Sequence, residues 1–102
     1  MRENYYENKL RVKVNAIGAK CLKFESPGFT GVPDRLILLP CDKVIFVETK
    51  KPGEKERARQ KYVHGLLRAF GFEVFSTVDS LEKIENVVRR CKEVVIANAK
   101  GV

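Results

Sequence analysis

The chain of 102 residues is 44% hydrophobic and 32% charged. That length suits one domain spanning 1–102 and is too short for two ordinary cores, while the composition excludes a disordered chain. Twenty Lys and Arg against thirteen Asp and Glu leave a net charge of +7, which favours an anionic partner such as nucleic acid or an acidic surface, although excess charge also serves solubility.

The first predicted element is a helix over 2–17, where Tyr6, Leu10, Val14 and Ile17 recur at spacings of three and four. Gly18 is its stop signal. Glu3 and Glu7 track the same stripe, so at least one carboxylate faces the core side. A first strand is predicted over 19–25, followed by a loop of Gly and Pro, SPGFTGVP. Residues 34–39 and Val44–Lys50 form a hairpin turned by Pro40-Cys41-Asp42-Lys43. Both strands are nearly continuous apolar runs, as in a sheet covered on two faces. A second helix is predicted from Arg57 to Phe70, with Val63, Leu66, Leu67 and Phe70 inward and Gly71 as its stop. A fourth strand follows over Phe72–Thr77. The last helix starts at the capping-box pattern Asp79-Ser80-Leu81-Glu82 and turns Leu81, Ile84, Val88, Cys91 and Val95 to one side, with ANAKGV fraying at its end. The order α-β-β-β-α-β-α implies an α/β fold with a mixed sheet flanked by helices.

Three cysteines, Cys21, Cys41 and Cys91, form neither a CxxC pair nor a cluster with histidine. That excludes a disulfide framework and a zinc site, and free thiols suit a reducing cytosol. No apolar run reaches the roughly eighteen residues of a membrane span, and the N-terminus lacks the apolar stretch of a signal peptide. A cytoplasmic location is the resulting expectation.

The chemistry concentrates in Gly31-Val32-Pro33-Asp34, then thirteen residues, then Glu48-Thr49-Lys50. Glu48 and Lys50 stand two apart on a strand and share a face. The hairpin folds the start of its first strand against the end of its second, which brings Asp34 beside them. Two carboxylates side by side repel unless a cation lies between them. Hard cations such as Mg²⁺ take oxygen ligands and keep waters, and they can acidify a water and polarise a phosphoryl oxygen. Lys50 can offset charge growing on the phosphate. The bland reading is a strand-edge salt bridge, for which an isolated ExK is a common coincidence.

The run GVPDRLILLP…KVIFVETKKPG resembles the PD-(D/E)xK nuclease superfamily, and more closely its virus-type replication-repair nuclease (VRR-NUC) family in the small stand-alone form of phages and bacteria. The resemblance covers nearly the whole chain. It implies a restriction-endonuclease-like α-β-β-β-α-β core with an extra C-terminal helix. It also implies a Mg²⁺- or Mn²⁺-dependent DNA endonuclease acting in a bacterial or phage-infected cell, with branched DNA such as Holliday junctions among its substrates, working as a homodimer and needing no small-molecule cofactor. Matched residue by residue, Asp34, Glu48 and Lys50 are the motif's acids and lysine, and the Thr49 backbone carbonyl is a metal ligand. Glu7, with Glu3 the weaker match, is the helix glutamate and a further ligand, and Gln60 is the downstream glutamine.

Around this centre, Lys51, Lys55, Arg57, Arg59 and Lys61 form a cationic run suited to phosphates. A solvated loop and helix start would look similar, although cations at a helix N-terminus oppose the dipole. Phe29, at the tip of the glycine-rich loop, suits local packing better than a wedge into a branch point. His64 reads as structural rather than as a general base. The rivals to a nuclease are a non-catalytic DNA-binding module and a subunit of a larger nuclease complex.

Overall fold

The computed structural model describes residues 4–100, with side chains through 98. Glu3 and the last two residues of ANAKGV lie outside the described residues. The elements are α1 (Tyr5–Ala16), β1 (Lys20–Lys23), β2 (Arg35–Leu38), β3 (Val44–Thr49), α2 (Ala58–Ala69), β4 (Glu73–Val78) and α3 (Leu81–Lys100). This is the predicted α/β order, and the strand order β1-β2-β3-β4 is the simplest that the chain can make. β1, β2 and β3 pair antiparallel, and β4 adds parallel to β3 after the α2 crossover.

Asn4 caps α1. Its extended backbone stops the helix, and its side-chain oxygen accepts the Glu7 N–H at 2.7 Å, which satisfies an amide that a helix start leaves without a partner. From that cap, α1 turns Glu7, Leu10 and Val14 inward. α3 presents Ile84, Val87, Val88, Cys91 and Val94 to the same core. Strand alternation supplies the other half: Cys21, Ile37, Ile45 and Val47 all point to the α1/α3 side. Each fully buried Ile or Val contributes about 1.5–3 kcal/mol over leaving it exposed. Burial also pushes the thiols of Cys21 and Cys91 up to about 11, so they act as small apolar residues rather than nucleophiles.

The opposite face of the sheet carries Leu36, Phe46 and Glu48, and α2 covers its β4 side. Here the predicted helix stripe needs correction. Val63 and His64 are fully buried, whereas Leu66 and Leu67 are half-buried and Phe70 is 69% exposed. The inward row starts at Gln60 and continues at its third and fourth successors, Val63 and His64. Phe70 is the C-cap, past the last turn that meets the sheet. A second correction concerns α3. Leu81 is exposed at its first turn, and the helix continues through Ala97 to Lys100, where fraying was expected.

Candidate active site

The β2–β3 register pairs Arg35 with Val47, which sets Asp34 level with Glu48. Asp34 then closes the end of β3. Its Oδ1 accepts the Thr49 N–H at 2.9 Å, and its Oδ2 accepts the Thr49 hydroxyl at 2.6 Å. Asn4 reaches the same hydroxyl, with Nδ2 donating to Thr49 Oγ1 at 3.4 Å. The start of α1 and the ends of β2 and β3 therefore converge on one point.

Glu48 and Lys50 alternate to the α2 side of β3 and are only 6% and 8% exposed. Lys50 Nζ lies 3.5 Å from Glu48 Oε2 and donates to Gln60 Oε1 at 2.9 Å. The same Gln60 oxygen accepts the Arg57 N–H at 2.9 Å. One side chain thus caps α2 and fixes the lysine. Gln60 shares the helix face of Val63, and the structure brings it to Lys50.

A bulge in β4 lies opposite Glu48. Val47 pairs with Phe75 and Thr49 with Val78, so Ser76 and Thr77 together face Glu48, and Thr77 takes a positive φ of 55°. Bulges of this kind re-aim side chains beside functional sites. Here Ser76 Oγ meets His64 Nδ1 at 2.8 Å, and Glu56 Oε2 reaches that nitrogen at 2.5 Å. His64 Nε2 points back toward Glu48 Oε1, 4.0 Å away. His64 is fully buried, and its ring joins Ser76 and Glu56 to the surroundings of a site residue.

Glu7 is 2% exposed and lies against Asp34. Lys23 Nζ approaches its oxygens at 3.2 and 3.3 Å, and an Arg35 Nη lies 3.5 Å from Oε2. Burial alone would raise its pKa. A hydrogen bond with Asp34 and the charges of Arg35 and Lys23 outweigh that and hold Glu7 below its usual range. Asp34 takes the opposite shift, to about 6, through burial and then through its contact with Glu7. Glu48 is raised further, to about 7, by burial and then by the charge of Asp34, against the pull of Lys50.

These shifts, together with one orphaned atom, test whether a cation fits. Glu48 Oε1 is buried without a hydrogen-bond partner. Two buried acids with raised values, one of them raised in part by the charge of the other, are what an ion between them would relieve. Among the described residues, no three His, Cys, Asp and Glu side chains converge as a closed cage. The side-chain donors at this point are the carboxylates of Asp34 and Glu48, both hard oxygens, which suits an ion that keeps part of its water shell.

The cationic run differs from the lysine that precedes it. Lys51, Lys55, Arg57, Arg59 and Lys61 are all exposed, while Lys50 is buried in the site. Arg59 is also fastened: its Nε donates to the Thr30 carbonyl at 3.0 Å, and its guanidinium lies over Phe29 and Tyr62. Phe29 meets the Arg59 guanidinium but keeps 40% of its surface exposed. The roles of Asn4, Glu56 and Ser76 went unread from sequence. Asn4 alone carried a local signal, since Asn followed three residues later by Glu marks a helix start.

No family model matches the chain. A protein of Acyrthosiphon pisum secondary endosymbiont phage 1, named "Putative nuclease p44", is 49% identical over 74 residues, which span 72% of this chain and 80% of that protein. A solved structure described as a VRR_NUC domain superposes with a TM-score of 0.76 at 26% identity, covering 85% of this chain and 94% of that one.

Proposed function

The chain belongs to the virus-type replication-repair nuclease (VRR-NUC) family, and from that premise we propose that it is an endonuclease hydrolysing DNA phosphodiester bonds with Mg²⁺ or Mn²⁺. The observation that carries this reading is the buried pair Asp34 and Glu48, with Glu48 Oε1 lacking a partner and Lys50 Nζ 3.5 Å from its other oxygen.

Asp34, Glu48 and the Thr49 carbonyl would hold the ion. When bound, it supplies Lewis acidity toward a phosphate oxygen. Lys50 faces the same space, where its ammonium offsets the charge that grows on the phosphate during attack by water. Gln60 fixes that ammonium through its Oε1, so the amine is oriented before DNA arrives. Glu7 is a positioning residue rather than a ligand in this reading. Lys23 and Arg35 already neutralise it, and it presses on Asp34. Lys51, Lys55, Arg57, Arg59 and Lys61 would contact flanking phosphates.

Branched DNA, including four-way junctions, is the substrate class that the family resemblance suggests. Cutting opposed strands of a junction calls for two copies of the site, hence a homodimer. A bacterial or phage-infected cytoplasm supplies both the reducing conditions that three free cysteines suit and the DNA.

The test is cleavage of matched linear, flapped and four-way DNA by wild type and Lys50→Ala, with Mg²⁺, with Mn²⁺ and with a chelator. Metal-dependent cutting by wild type and loss in the variant are expected. Equal cutting by both proteins would sink the lysine assignment. Binding without cutting under either metal would favour a DNA-binding module.

A further inference from the structure

We propose that Phe29, Arg59 and Tyr62 form a stacking platform for an unpaired base of the DNA strand beside the cut. The proposal rests on the nuclease reading for its ligand but on separate residues for its geometry.

The Arg59 guanidinium carbon lies 4.7 Å from the Phe29 ring centroid and 5.3 Å from that of Tyr62, so one planar cation bridges two rings. The arrangement is held from both sides. Arg59 Nε is tied to the Thr30 carbonyl at 3.0 Å. Gly31, at φ +92°, lies so close to α2 that an added Cβ would meet Arg59 Cγ at 2.8 Å and Val63 Cγ2 at 3.0 Å. The loop is therefore fitted to the helix, and the stack exists before any ligand arrives.

Yet the rings remain in solvent. Phe29 is 40% and Tyr62 59% exposed, and neither belongs to the apolar core. The chain also places them at the site. The Phe29 loop runs directly into Asp34, and Arg59 precedes Gln60, the residue that holds Lys50. An exposed ring face stacks on any base, whatever the sequence. The guanidinium brings a fixed charge for the neighbouring phosphate. A base inside a duplex has both faces covered by its neighbours, so only a nucleotide outside the helical stack can use the platform. Flaps, gaps and branch points supply such nucleotides.

The experiment is binding, in chelator, of DNA carrying the fluorescent base 2-aminopurine, either in a single-stranded flap or paired within a duplex of equal length. Wild type is expected to change the fluorescence of the flap probe. The double variant Phe29→Leu/Tyr62→Leu should bind flapped DNA about tenfold more weakly, with unchanged duplex binding and the same circular dichroism. Tyr62→Phe, which keeps the ring, should behave as wild type. Equal loss on both DNAs, or no loss on either, would overturn the platform. Because chelator removes cleavage from the readout, a protein that stacks the probe but never cuts with metal would overturn the nuclease reading alone. One that cuts while the double variant binds both DNAs as wild type does would overturn the platform alone. A wild type that binds neither DNA would overturn both.

Discussion

Asp34 reaches from the start of β2 to the end of β3 and holds Thr49 by both its backbone N–H and its hydroxyl, at 2.9 and 2.6 Å. Burial raises the pKa of Glu48, and the charge of the same Asp34 carboxylate raises it further. One residue thus shapes the strand end and makes its neighbour costly to ionise, and the two effects are separable by experiment.

The pH dependence of stability follows from that coupling. Folded-state values of about 6 for Asp34 and about 7 for Glu48 stand above their ordinary values of 3.8 and 4.5. A raised acid binds its proton more tightly when folded, so its stabilisation is complete below the ordinary pKa and lost as pH rises through the folded one. Without metal, the contribution of these two acids should fall between roughly pH 4 and pH 7, by about 3 kcal/mol at most from Glu48, while the lowered His64 works in the opposite direction. Glu48→Gln should flatten the curve, and Mg²⁺ should raise Tm most at the alkaline end. Melting curves across that range with chelator and with Mg²⁺ check both. A Glu48→Gln protein whose metal-free pH dependence matches that of wild type would contradict the Glu48 shift.

Lys50 and Gln60 should separate in kinetics. Lys50→Ala removes the cation that faces the phosphate and should lower kcat by about a hundredfold or more. Gln60→Leu keeps the volume but frees the ammonium, with a loss of about tenfold. The double variant should be no worse than Lys50→Ala alone, because Gln60 acts through the lysine. Single-turnover rates on one DNA substrate read all three.

His64 offers a test by mimicry. Its Nδ1 meets Ser76 and Glu56 at 2.8 and 2.5 Å, and its Nε2 faces Glu48 at 4.0 Å. His64→Asn approximates the first nitrogen and His64→Gln the second. His64→Ala leaves buried polar atoms without partners and should cost about 2–4 kcal/mol. If the Nδ1 side carries the stability, Asn recovers more of it than Gln in urea denaturation, and the reverse order would assign the weight to Glu48.

Gly31→Ala should destabilise by about 1–3 kcal/mol, since the new Cβ meets Arg59 Cγ at 2.8 Å on a backbone at φ +92°. Gly18, also at positive φ but with nothing near its missing Cβ, should lose only the conformational part when changed to Ala. Comparing the two Tm shifts isolates the cost of the close approach.

The order of the elements, the hairpin and the juxtaposition of Asp34, Glu48 and Lys50 were legible from sequence for one physical reason. Strand alternation has a fixed period, and a short turn sets the register of the strands that it joins. Two positions on a strand then share a face by arithmetic, and a hairpin brings its two far ends together. Helix faces were legible only in part. Periodicity found the row through Val63 and set Gln60 on it, but it could not foresee that His64 would be buried while Phe70 stayed in solvent. That choice depends on where α2 crosses the sheet. Tertiary structure likewise decided that Glu7 would meet Lys23 and Arg35, that a bulge in β4 would open opposite Glu48, and that Arg59 would lie between Phe29 and Tyr62. Each of these joins segments distant in the chain, and no local pattern of residues determines which partners meet when burial selects the packing.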